Sequence, residues 1–326
     1  MLLAAGATAA MTTAPVASAA ARTVEVIKTP DPRAAYAVID TRPHGRCERA
    51  SFPGARCLNP TDVFGPHDRL ANISGLLWAL GSAGLAGSER VLVVGDRPAD
   101  RDAIAGLLFI AGQSRIDVLS GKVGDALKNR KPAPGTPRST TREVVFQAPM
   151  RSTHIVLRRE LLGEIRSNEP PLILDGRSDA EYWGADIRAS RGGHIPGAVH
   201  APMAAGSTIA PIAPVPGKRP IAYGNGPRDS LAYLVRLQAA GIDARIYLEG
   251  WSGWASDGAL PADAMTFAVG TRPGATTVTL PASRASTSQE ATTGRLRVGA
   301  VAFLSGVIVT VAGFWAAQAW RSRRTG

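Results

Sequence analysis

The chain has 326 residues, of which 45% are hydrophobic and 19% are charged. This composition excludes wholesale disorder and collagen-like repeats, and the length suits about two domains. Lysine and arginine outnumber aspartate and glutamate by 37 to 26. The excess is spread along the chain, nearly all as arginine, and is not interleaved with aromatics, so we expect no nucleic-acid partner. Two cysteines exclude a disulfide scaffold and metal centres held by four thiolates.

The first 21 residues contain no charge and are rich in alanine, and Ala-Ser-Ala at 17–19 fits the small-x-small rule of signal cleavage. This pattern predicts a signal peptide at 1–21. The alternative is a disordered alanine-rich leader.

The other end predicts a membrane anchor. Residues 298–320 carry no charge and are long enough to span the hydrocarbon core of a bilayer. Trp315 and Trp320 lie towards one end of this segment, and three arginines follow it within 321–326. We therefore expect a single-pass protein of the cell membrane, with its body outside the cytoplasm and residues 321–326 as a cytoplasmic tail.

Export would place the two cysteines in an oxidising compartment, where disulfides form and persist. Cys47 and Cys57 flank one turn and could close a disulfide there. The alternative is a pair of free thiols that fill space.

Two segments have the composition of linkers. Residues 129–142 are rich in proline, threonine and arginine, and residues 268–297 form a polar stalk of threonine, serine, alanine and glycine. They delimit two bodies, predicted at 22–128 and 143–267.

The two bodies repeat one order of elements. Each body begins with a strand that ends in an acid two residues before an arginine (37–42 and 172–177), followed by a Pro-Gly-Ala turn (53–55 and 196–198). A second strand (90–94 and 220–223) then leads through a loop (95–101 and 224–228) into a helix (102–112 and 229–241). Each body closes with a strand and a glycine (116–121 and 244–250). Strands that alternate with helices at this spacing predict α/β domains, each with a parallel sheet covered by helices on both faces.

The second body resembles the C-terminal half of a tandem rhodanese, the thiosulfate sulfurtransferase family. The resemblance rests on Asp-Gly-Arg at 175–177, Glu-Tyr at 181–182, Arg-Gly-Gly-His-Ile-Pro-Gly-Ala at 191–198 and Glu-Gly-Trp-Ser-Gly-Trp at 249–254. The first body matches more loosely, through 40–42, 52–55 and 118–121. The resemblance implies two rhodanese-like domains, the first of them degenerate, and a sulfur-transfer reaction. We expect no cofactor, and we expect no metal because the five histidines show no pairing typical of metal ligands.

That reaction needs a thiolate, which the family places at the start of the loop between the second strand and its helix. Here the loop reads Tyr-Gly-Asn-Gly-Pro-Arg at 223–228. Counting back from Arg228 puts Tyr223 at the nucleophile position. If Tyr223 is instead the aromatic before the cysteine, the loop is one residue short and Gly224 takes that position. The first-body loop also lacks a cysteine.

Without a nucleophile, the resemblance still implies an anion cradle of backbone N–H groups and cations, for which the candidates are Asn225, Gly226, Arg228 and Arg177. The alternative is that Tyr223 fills the pocket and the loop only closes the fold. Structural roles are expected for other polar residues of the motifs: Asp40, Arg42, Asp175 and His194.

Two function classes remain open. One is a non-catalytic module that binds a small sulfur anion or a protein partner. The other is an active sulfurtransferase that passes sulfane sulfur to a thiol or to cyanide, and the missing loop cysteine argues against it. A redox role for the two cysteines is a third possibility.

Overall fold

The computed structural model describes residues 22–202 and 217–264. The predicted signal peptide, stalk, membrane span and tail lie outside these residues. Among the described residues, no helix has the length and apolar character needed to cross a membrane.

The first part of the chain forms a six-stranded parallel sheet in the order β1-β5-β4-β2-β3-β6. Its strands are β1 (Val24–Ile27), β2 (Ala37–Asp40), β3 (Arg56–Cys57), β4 (Arg90–Val94), β5 (Arg115–Leu119) and β6 (Thr136–Pro137). The accompanying helices are α1 (His44–Arg49), α2 (Ile73–Ser82), α3 (Pro98–Ala111) and α4 (Val123–Leu127). The central strand β4 is buried from Val91 to Val94, as expected for a parallel strand covered on both faces.

The second part forms a five-stranded parallel sheet in the order β7-β11-β10-β8-β9. Its strands are β7 (Ile155–Val156), β8 (Ile173–Asp175), β9 (Ala198–His200), β10 (Ile221–Tyr223) and β11 (Arg245–Tyr247). Its helices are α5 (Arg158–Ile165), α6 (Asp179–Tyr182), α7 (Pro227–Ala239) and α8 (Gly250–Ala255). The predicted α/β class with parallel sheets is confirmed. Apart from the added edge strand β6, the two sheets share one strand order, which is the order expected of a repeat.

Both helices that follow the loops begin earlier than the sequence pattern predicted. α3 begins at Pro98 instead of Asp102, and α7 begins at Pro227 instead of Asp229. Proline suits the first turn of a helix because its fixed φ is already helical and its missing N–H would have no partner there. The loop between β10 and α7 is therefore reduced to three residues, 224–226.

The predicted linker at 129–142 is partly a strand of the first sheet. Thr136 and Pro137 pair with β3, and Ala133 exchanges backbone hydrogen bonds with Ser51. The apolar pattern did not reveal this strand because its stability comes from backbone pairing at a sheet edge. The boundary predicted at residue 143 also moves, because the chain up to Arg151 still bonds to the first body and the second sheet begins at Ile155.

Helices α3 and α7 hold the two sheets together. Gly106 of α3 lies so close to α7 that an added Cβ would stand 2.1 Å from the Leu231 carbonyl oxygen. Buried apolar residues of both helices belong to one continuous core. At the edge of this contact, Arg236 of α7 pairs with the buried Asp102 of α3 at 2.5 Å.

Candidate functional site

The loop at 224–226 lies at the carboxyl end of the second sheet, beside the end of β8. This edge is where open α/β sheets bind their ligands. The strand before the loop ends at Tyr223 and the neighbouring strand ends at Asp175, and the two residues are register partners in the sheet. Both side chains are fully buried, next to the point where the loop begins.

Tyr223 is fully buried. Its hydroxyl donates a hydrogen bond to Asp175 Oδ2 at 2.5 Å and accepts one from the Ile195 backbone N–H at 3.2 Å. Burial, together with the Asp175 carboxylate, raises the pKa of Tyr223 well above its ordinary 10.0. The side chain is thus a neutral phenol at physiological pH, and it fills the space at the end of β10.

The backbone of the loop is bonded to the helices on either side of it. Gly224 N–H donates to the Ser230 hydroxyl at 3.0 Å, while the Gly224 carbonyl accepts from Trp251 N–H at 2.9 Å. The Asn225 carbonyl accepts from Ser252 N–H at 2.7 Å. Gly250 has φ +62°, and a Cβ there would lie 2.6 Å from the Gly224 carbonyl oxygen. Glycine at the start of α8 therefore lets that helix close over the loop.

Two candidate residues of the anion cradle, Arg177 and Asn225, lie at this edge with their side chains bonded to carboxylates. Arg177 donates to both oxygens of Asp175 and to the Gly193 carbonyl, and its side chain is 2% exposed. Asn225 Nδ2 donates to Glu181 Oε1 at 2.6 Å. Gly226 is the N-cap residue of α7 and has no side chain to offer.

Arg228 points towards the first body. Its guanidinium pairs with Asp100 of α3 and lies 3.7 Å from Asp68. The residue that the resemblance assigned to the cradle is thus part of the contact between the two sheets. This arrangement favours the alternative in which the loop closes the fold.

A cleft of about 290 Å³ opens beside the loop and between the two bodies. Its charged lining residues comprise three arginines and three acids: Arg177, Arg188, Arg236, Asp102, Glu181 and Asp229. Each of the three arginines pairs with a carboxylate. Asp229 forms no ion pair within the described residues, and burial raises its pKa above the ordinary 3.8. Among the residues that the structure describes, the cleft therefore presents the unpaired carboxyl group of Asp229 and no unpaired arginine or lysine.

The first body repeats the acid–arginine arrangement. Arg42 donates from its backbone N–H and its guanidinium to Asp40, as Arg177 does to Asp175. The place of the Tyr223 hydroxyl is taken by Ser51, whose Oγ donates to Asp40 at 2.6 Å. In the loop that follows β4, the Asp96 carboxylate accepts from the Val123 N–H at 3.0 Å. Asp40 and Asp96 in the first body and Asp175 in the second are thus each bonded to neighbouring residues of their own body.

His194 belongs to the turn before β9. Its ring is buried and stacks on Tyr182 at 3.8 Å, and its Nδ1 lies 3.0 Å from the Tyr182 carbonyl oxygen. Trp251 and Trp254 are buried core residues, and the Arg177 guanidinium lies over the Trp251 ring.

Cys47 and Cys57 form a disulfide in the first body, with their Cα atoms 5.9 Å apart. Both residues are fully buried, and Gly135 packs directly against their sulfur atoms. They are the two cysteines of the chain. No thiol is therefore present at the β10–α7 loop or beside it.

Sequence reasoning missed the acids that hold the loop residues. Glu181 was noted only as part of a family motif, and Asp68 and Asp100 were not singled out. Asp100 lies 128 positions from Arg228 in the chain, so no local pattern connects the two residues.

The family model of the rhodanese-like domain matches residues 158–257. Among solved structures, YnjE superposes with a TM-score of 0.60 at 17% identity, over 72% of this chain and 63% of that one. A variant of EanB in complex with ergothioneine gives a TM-score of 0.58 at 20% identity, over 72% and 66%. A probable thiosulfate sulfurtransferase gives 0.50 at 23% identity, over 73% and 100%.

The chain thus covers about two thirds of the length of the first two structures. At these identities the superpositions show a shared fold. A search of curated proteins gave no significant match. The family match, the parallel sheet of the second body and the acid–arginine motif agree with one another. Residues 158–257 are a rhodanese-like domain.

Proposed function

We propose that this protein is a non-catalytic member of the family, tethered to a membrane by residues 298–320 with its body outside the cytoplasm, and that it acts by binding a protein partner. The observation that carries the proposal is the absence of a thiol at the β10–α7 loop. The nucleophile position holds Tyr223 or Gly224, and both cysteines are joined in a disulfide elsewhere.

Sulfane-sulfur transfer requires an atom that attacks the outer sulfur of the donor and then carries it as a persulfide. A thiolate does this readily, whereas a phenol does not. Tyr223 is further excluded as a nucleophile because its hydroxyl is buried and its pKa is raised. The rival function, an active sulfurtransferase, has no residue to carry the sulfur at this site.

The charges around the loop favour a protein partner over a small anion. Arg228 is held by Asp100, and the arginines of the cleft are each paired with a carboxylate. A thiosulfate or sulfate ion would have to displace one of these carboxylates and would also meet Asp229. The donors that a small anion could still use are backbone N–H groups of the loop and of the first turn of α7, which has no side-chain cap.

The first body fits this proposal as a second, degenerate rhodanese-like domain. Apart from the edge strand β6, its sheet has the same strand order as the second body, and it has the same acid–arginine pair. Its loop after β4 uses Asp96 as a structural acceptor instead of presenting a nucleophile.

The test is thiosulfate turnover with cyanide as acceptor, measured on the purified protein. We expect no turnover above the rate without protein. A variant with cysteine inserted between Tyr223 and Gly224 restores the family's loop length and shows whether the surrounding fold still supports the reaction. Turnover by the wild-type protein would contradict the proposal, and its loss when Cys47 and Cys57 are both changed to serine would assign the reaction to that cysteine pair.

A further inference from the structure

Four of the chain's five lysines lie close together in the first body or follow it directly. Lys28 and Lys122 line a shallow pocket of about 430 Å³ with Arg130, where β1 and β5 end. Lys128 reaches Asp125 on the pocket wall at 2.9 Å, and Lys131 follows Arg130 in the chain. We call this group the lysine patch: Lys28, Lys122, Lys128, Arg130 and Lys131.

The patch carries an uncompensated positive charge. All five side chains are exposed, and within the described residues only Lys128 has a carboxylate partner, Asp125. The arginines of the inter-body contact, such as Arg228 and Arg236, are instead paired with acids. A cluster of like charges repels itself and attracts acidic partners from solution.

The walls of the pocket also supply neutral hydrogen-bonding groups, and they fix the position of one of the cations. The Arg130 guanidinium donates to the Pro30 carbonyl and lies 6.0 Å from the centre of the Phe52 ring, so its charge is held at the wall. Thr29 and Asn129 add neutral hydrogen-bonding groups to the lining. Ammonium groups spaced around a concave surface suit separate carboxylates that enter the pocket on side chains.

We propose that the lysine patch binds an acidic segment of a partner protein. A flat anionic bilayer would contact the rim of the patch and leave the pocket walls unused, whereas a peptide can insert its carboxylates among the lysines. This site lies on the first body, away from the β10–α7 loop. It therefore goes beyond the proposed function and does not depend on whether the loop transfers sulfur.

The test uses the full chain and a fluorescein-labelled peptide of alternating glutamate and serine, followed by fluorescence anisotropy at low ionic strength. The patch variant carries Lys28→Glu, Lys122→Glu and Lys131→Glu. The control variant carries Arg115→Glu, Arg159→Glu and Arg166→Glu, which are exposed residues outside the patch, so that it has the same change in net charge. A soluble short-chain phosphatidylglycerol serves as a competitor.

We expect the wild-type protein and the control variant to bind the peptide alike apart from a small general effect of charge. The patch variant should bind about tenfold more weakly or worse, and added salt should weaken wild-type binding. Equal losses in both variants would overturn the proposal, because net charge alone would then explain binding. Patch-dependent binding of the lipid in the absence of peptide binding would also overturn it, in favour of a membrane surface. Thermal unfolding of both variants verifies that each is folded.

Discussion

At the scale of single residues, one buried carboxylate organises each body. Asp175 accepts from Arg177 and from Tyr223, and Asp40 accepts from Arg42 and from Ser51. A buried carboxylate is stable only when it is paired and its oxygens accept hydrogen bonds. Tyr223 at the end of β10 therefore supports the fold by donating to this buried carboxylate.

Replacing Tyr223 by phenylalanine tests this role. The change removes one donor from Asp175 and the acceptor of the Ile195 N–H, both in the buried interior, so we expect a loss of about 1–3 kcal/mol of unfolding free energy. Urea unfolding of the wild-type protein and the variant measures this loss of free energy. The control is Tyr247→Phe, because the Tyr247 hydroxyl meets Glu249 at a long 3.4 Å and lies beside Arg158, and both of these partners are partly exposed to water. A loss no greater than that of the control would refute the role.

Asp229 gives a prediction about pH. Burial raises its pKa in the folded protein, so folding favours the neutral acid. The stability that this group contributes is present below its unfolded pKa of 3.8 and is lost as the pH rises through the raised folded value. Asp229→Asn should therefore stabilise the protein at pH 7, and the gain should vanish below about pH 4. Unfolding at both pH values measures it, with the exposed Asp186→Asn as control. A destabilised variant at pH 7 would contradict the assignment.

At the scale of elements, the contact between α3 and α7 joins the two sheets. It has no room for a side chain at Gly106, since a Cβ would overlap the Leu231 carbonyl oxygen. The close approach brings apolar residues of both helices into one core and sets the ion pairs at its edge.

Gly106→Ala should therefore destabilise the protein by about 1–3 kcal/mol, because the helices must move apart. Helix propensity alone would predict a gain of about 1 kcal/mol. Gly163→Ala is the matched control, since Gly163 lies inside α5 and a Cβ added there would enter open space. We expect this control to be neutral or stabilising in thermal unfolding. Equal effects of the two substitutions would show that the helices do not meet as described.

The order of elements could be predicted from the sequence because apolar strands and turn motifs are local signals. Strand β4 occupies the predicted residues, Arg90–Val94. The helix starts at Pro98 and Pro227 were placed too late because the first polar turn resembles a loop. Strand β6 and the partners of Arg228 escaped prediction, since both depend on residues far apart in the chain.

At the scale of the whole molecule, the proposal places the body outside the cytoplasm. It rests on the apolar residues 298–320 with the arginines that follow, and on the leader at 1–21. Protease added to intact spheroplasts should digest the body, while a cytoplasmic control protein stays intact. Complete protection of the body, with digestion only after lysis, would reverse the orientation.

The central claim is that this protein does not accept sulfane sulfur from a donor. It is tested most directly by intact mass spectrometry after incubation with thiosulfate. A sulfur carrier attacks the outer sulfur of thiosulfate, forms an S–S bond and releases sulfite, so its mass rises by one sulfur atom. We predict an unchanged mass under non-reducing conditions, and no alkylation of Cys47 or Cys57 before reduction. The variant with a cysteine inserted before Gly224 is the positive comparison. A wild-type protein that gains one sulfur atom per chain would contradict the account.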